Sequence, residues 1–158
     1  MIRSNRPPRL LLIPLMAILS FAGCQSDEEP SPVESDGIHI ENPWARPASE
    51  GRMSAIYLTL TQYGEPADTL LGASSDIAHL VEIHESYEAD DGLMGMRHVE
   101  LVPIPAGESI HLEQGGLHIM LIQLQHAVSS GDQIELTLHF ARAGDLPVQV
   151  PVKTEENP

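Results

Sequence analysis

A chain of 158 residues has room for one hydrophobic core, and its 23 acidic against eight basic residues give a net charge of −15. Such a surface repels nucleic acid, which is excluded as a partner, and concentrates cations. With one cysteine in the whole chain, an internal disulfide and a multi-thiolate metal site are excluded as well.

The chain opens with Arg3, Arg6 and Arg9 and no acid, then runs from Leu10 to Phe21 with only Pro14 and Ser20 interrupting the apolar residues. Such a run is shorter than the roughly 20 residues that a bilayer core demands, and it reads as a secretion signal over residues 1–23. The small pair Ala22-Gly23 stands before Cys24, an arrangement that resembles a lipobox. The resemblance implies a mature protein that begins at a diacylglycerol-bearing Cys24 and is held on the extracytoplasmic side of a membrane, in the periplasm or at the cell surface. Cleavage there removes three arginines and no acid, which leaves five basic against 23 acidic residues, a net charge of −18. Residues 25–37, QSDEEPSPVESDG, hold Val33 as their one large apolar side chain. Residues 24–37 therefore read as the lipidated Cys24 and a flexible acidic tether.

From Ile38 to Val152 short β-favouring runs alternate with Gly, Pro, Asn and Asp, without a sustained 3.6-residue period. Strands are expected at 38–41, 56–61, 69–73, 79–85, 94–99, 109–113, 117–124, 134–140 and 148–152. In 56–61 and 134–140 apolar and polar residues alternate strictly, the mark of a strand with one face in a core. Seven to nine strands in this length predict an all-β fold, a two-sheet Greek-key sandwich in one domain over 38–152. Residues 153–158 read as a disordered tail.

Once the signal is removed, Met94, Met96 and Met120 stand close in sequence to several histidines. Any one such residue is ordinarily core filling or a solvated ring, so spacing has to decide. His118-Ile119-Met120 places an imidazole and a thioether on one face of a strand, about 6 to 7 Å apart, just after the turn 113–116. Asp91-Gly92 marks a hairpin turn. Centred near Asp90, it sets His84 opposite Met96 and Met94 opposite Ser86, so Met96 is the expected ligand and Met94 a flanking thioether. His98 shares the face of Met96 and is a candidate auxiliary ligand. His39, His79, His111, His126 and His139 are given no metal role.

Two imidazoles and two thioethers make a soft, nearly neutral set that favours Cu(I) over hard cations and Zn(II). Thioethers also survive an oxidising compartment in which thiols pair. The spacing resembles that of the PCuAC periplasmic copper chaperones, whose motif runs His, eleven residues, Met, twenty-one residues, His, one residue, Met. His84, Met96, His118 and Met120 match it. The segments Asn42–Pro47, Ile83–Glu85, Ile104–Gly107 and Gly115–Leu121 are similar too. The resemblance implies a cupredoxin-like sandwich with one Cu(I) per chain. It also implies delivery toward the dinuclear copper centre of a cytochrome oxidase copper subunit, with a Sco-type thiol protein as partner. Members often end in a His- and Met-rich tail, and this chain does not. No Gly-x-Ser-x-Gly elbow or His-Glu-x-x-His motif is present, so an enzyme is not expected. The rival reading is a structural or adhesive lipoprotein with an Ig-like sandwich.

Overall fold

The computed structural model describes residues 33–90 and 92–154. The signal segment, Cys24, the tether as far as residue 32, Asp91 of the expected turn and residues 155–158 of the tail lie outside the described residues. Eleven strands form two sheets, and no helix occurs among the described residues. The larger sheet runs, from edge to edge, β1 (Val33–Ser35), β2 (Ile38–Ala45), β3 (Ser54–Gln62), β8 (Ser109–Leu112), β9 (Leu117–Leu124), β5 (Ala78–Glu88) and β6 (Met94–His98). The smaller runs β11 (Asp145–Pro151), β10 (Gln133–Phe140), β4 (Asp68–Ser74) and β7 (Val102–Ile104). The pairings within the sheets are antiparallel apart from Leu112 with Leu117, and an isolated parallel bridge joins Ala45 to Val152.

Alternation explains why these runs become strands and which way they face. In β10, Ile134, Leu136, Leu138 and Phe140 are buried while Gln133 and Glu135 are exposed, and β11 repeats the pattern with Leu146, Val148 and Val150. These side chains meet Ile38, Ile40, Ile56, Leu58, Leu60, Ile83, Ile119 and Leu121 of the larger sheet in one core. A fully buried Leu or Ile contributes about 1.5–3 kcal/mol relative to exposure. The prolines follow the same physics. Pro103 and Pro147 sit in β7 and β11, the two edges of the small sheet, where a missing N–H costs no ladder bond.

Several expectations need correction. Val33–Ser35, placed in the tether on composition, instead pairs with Ile38–Ile40 through a turn at Asp36-Gly37. Gly37 has φ +84, and a Cβ there would meet Gln62 Oε1 at 2.8 Å, so the close turn requires glycine. The strand β7 was not expected, because Pro103 breaks its three-residue run. β3 was expected to be wet on one face, yet Tyr57 and Thr61 are buried. A register shift between Glu41 and Trp44, with Asn42 at φ 52, sets Trp44 opposite Tyr57, and the indole covers it with ring centroids 4.7 Å apart.

Candidate metal centre

Three adjacent strands at one side of the larger sheet, β9, β5 and β6, carry the residues singled out by spacing. Their register brings His84 opposite His118 and Glu82 opposite Met120. Directly opposed residues share a face about 5 Å apart, and the face opposite to Ile83 and Ile119, which are in the core, therefore holds His84, His118, Glu82 and Met120 together. The His84 and His118 ring centroids are 6.1 Å apart.

The hairpin register differs from the expected one. His84 pairs with His98, Ser86 with Met96 and Glu88 with Met94, so the expected pairing of His84 with Met96 is displaced by two residues. The turn is centred near residue 91 rather than 90. Met96 remains on the His84 face as its diagonal neighbour, roughly 7–8 Å away at the backbone and within reach of a long side chain. Met94 lies one step farther out, across from Glu88. Both are exposed on the edge strand, Met96 at 61%. The opposite face of the hairpin is tied down separately. The Tyr87 ring lies over Gly95, where a Cβ would come within 2.7 Å of it. Arg97 stands 5.5 Å over that ring and donates to the Glu85 carboxylate from Nε at 2.8 Å.

Hydrogen bonds set the two imidazoles up as acceptors toward a cation. His118 Nδ1 lies 3.1 Å from the Gly116 carbonyl; a carbonyl only accepts, so Nδ1 carries the proton and Nε2 keeps its lone pair. His84 Nε2 donates to Glu82 Oε2 at 2.8 Å, which leaves Nδ1 with the lone pair. That Nδ1 is buried and has no partner; among the described buried side-chain polar atoms only Gln62 Oε1 shares this condition. An unmet buried acceptor costs about 1–3 kcal/mol, and a metal bond removes that cost. A proton on one nitrogen, given to a carbonyl or carboxylate, is the arrangement that orients metal-ligating histidines. Among the described residues, no three His, Cys, Asp or Glu converge on one point. The thioethers of Met120 and Met96 are the other soft donors on this face.

Sequence reasoning missed three contributors. Glu82 was available to the i, i+2 rule from His84 but was not used. Tyr57, its ring centroid 6.4 Å from His118, and Trp44 behind it wall the buried end of the site, and nothing short of the β2–β3 register connects them to it. A further imidazole chain lies on the solvent side of the small sheet. Ser74 Oγ is 2.9 Å from His139 Nε2, and His139 Nδ1 is 2.7 Å from Asp145 Oδ1. It has the bonding order of a hydrolytic triad. However, the Asp145 side chain is 72% exposed, where water screens the charge that a buried carboxylate would apply to the ring.

A family model described as "Putative lipoprotein LpqE-like" matches residues 38–152. The protein named "Putative lipoprotein Lxx21020" of Leifsonia xyli subsp. xyli is 32% identical over 120 residues, 76% of this chain and 72% of that one. Protein RP573 of Rickettsia prowazekii is 31% identical over 127 residues, 77% and 68% of the two chains. In structure, the copper-bound PCuAC domain from PmoF2 aligns with a TM-score of 0.67 at 22% identity, over 79% of this chain and 99% of that domain. The Cu(I) form of DR1885 from Deinococcus radiodurans aligns at 0.55 and 27% identity, over 72% and 78%. What the PmoF2 domain shares with this chain is the sandwich. The chain belongs to the LpqE-like family, and its neighbours in structure are PCuAC domains.

Proposed function

We propose that the protein is an extracytoplasmic copper carrier, anchored by lipid at Cys24, that binds one Cu(I) through His84, Met96, His118 and Met120 and hands it to a respiratory copper enzyme. The observation that carries this reading is the buried, unpartnered His84 Nδ1 beside an imidazole whose other nitrogen already gives its proton to a carbonyl. Two neutral imidazoles with two thioethers are a soft set suited to a monovalent ion. Copper-bound and Cu(I)-bound forms of structural neighbours support the same cargo. A partly exposed site beside the edge strand β6 suits transfer between proteins better than catalysis, and we read the chain as a carrier without enzymatic activity.

The acceptor is the dinuclear copper centre of cytochrome c oxidase, with a Sco-type thiol protein beside it. Anaerobic incubation of the purified protein with Cu(I) and the soluble copper domain of that oxidase tests the step. Metal leaving this protein and appearing in the oxidase domain supports it; metal retained in the presence of empty acceptor contradicts delivery. Absence of any bound copper would instead favour a structural lipoprotein.

A further inference from the structure

Three imidazoles stand in a row across three strands: His98 on β6, His84 on β5 and His118 on β9. His84 is the register partner of both others, and its ring centroid is 6.2 Å from that of His98 and 6.1 Å from that of His118. With a metal–nitrogen bond of about 2.0–2.1 Å, a ligating ring has its centroid roughly 3.2 Å from the ion, so one ion spans two centroids no more than about 6.4 Å apart. Both pairs meet that bound. The outer two rings lie two strand spacings apart, about 9–10 Å, and do not meet it.

The row thus holds two overlapping two-imidazole positions that share His84. The inner one, with His118 and Met120, is the more buried, His118 being 4% exposed. The outer one, with His98 and Met96, lies on the edge strand β6, where both side chains are exposed. Met96 is the diagonal neighbour of His84 and two residues from His98 on the same face, so it reaches either position.

We propose that His98 is an entry and exit ligand. Resting on the Cu(I) reading above, copper exchanges with partners through the His84, His98 and Met96 position and settles by trading the His98 bond for bonds to His118 and Met120. The Cu–N bond to His98 breaks as a Cu–N bond to His118 and a Cu–S bond to Met120 form, so the coordination rises from three to four; the ion stays monovalent, and no proton moves, because the bonds are made by neutral donors. His84 remains bound throughout, since its ring stands between the other two in the row and its Nδ1 has no other partner.

The test compares wild type with His98→Ala in the full chain, in detergent, by anaerobic equilibrium competition and by stopped-flow exchange with a chromogenic Cu(I) chelator. Affinity should stay within about threefold, while uptake and release slow together by about tenfold or more, since an exchange ligand changes both rates and not their ratio. His98→Met, which restores a soft donor at the edge, should recover much of the lost rate. Unchanged rates in His98→Ala would overturn the inference. So would an affinity loss equal to that of His84→Ala, which would make His98 a ligand of the resting site. Wild type that binds no Cu(I) would overturn the copper reading itself; wild type that binds but exchanges independently of His98 would overturn this inference alone.

Discussion

His84 is the residue on which the site turns, because each of its ring nitrogens has a separate assignment. Nε2 is committed to Glu82, and this commitment leaves Nδ1, which is buried, with its lone pair and no partner. Glu82 is then a positioning residue, and loss of such a partner typically costs 10–100-fold in metal affinity. Glu82→Ala should weaken Cu(I) binding by about tenfold or more at unchanged circular dichroism, whereas Glu82→Gln, whose amide oxygen still accepts from Nε2, should lose much less. Competition titration distinguishes the two. The thioethers are separated by their distance from His84. Met96→Ala should weaken Cu(I) binding by about tenfold or more and Met94→Ala by about twofold or less, because only Met96 is a diagonal neighbour of His84. The reverse order would mean that the edge strand slides in solution.

At the scale of elements, the strands of the core were legible because alternation of apolar and polar residues is a local signal. β9 begins and ends where Leu117 and Leu124 were expected to bound it, and β10 differs by one residue. What was not legible was register. Asp91-Gly92 marks the β5–β6 turn but does not fix the length of its loop, so the centre was misplaced by one residue, and a shift of one at the centre moves every partner by two. Because a two-residue shift keeps side chains on the same face, the right residues still gathered on one surface, although the direct partner of His84 became His98. The pairing of Trp44 with Tyr57 depends on a bulge, and that of Glu82 with Met120 on a sheet order, that local patterns do not encode. Asp68 is a comparable case in the small sheet. Its buried carboxylate accepts from the backbone N–H groups of Thr69, Arg142 and Ala143 at 2.7, 3.0 and 2.9 Å, tying β4 to the β10–β11 turn. Asp68→Ala strands three donors and should cost about 2–4 kcal/mol in urea unfolding.

For the whole molecule, the acidic surface, the single cysteine and the position of the site act together. A net charge of −15 favours the approach of cations and of basic partner surfaces, and the effect weakens as salt rises. Tethering at Cys24 would confine the sandwich to a layer near the membrane. Cys24→Ala should release the protein from the membrane fraction while leaving Cu(I) binding intact, as fractionation and metal analysis would register. Among the described residues no helix is long and apolar enough to cross a membrane. The most direct test of the central claim is an anaerobic Cu(I) competition titration of the wild type beside His84→Ala and His118→Ala. The account predicts one tightly bound Cu(I) per wild-type chain and a loss of at least about tenfold in affinity in each variant. Tight binding that survives both substitutions, or none in the wild type, would contradict it.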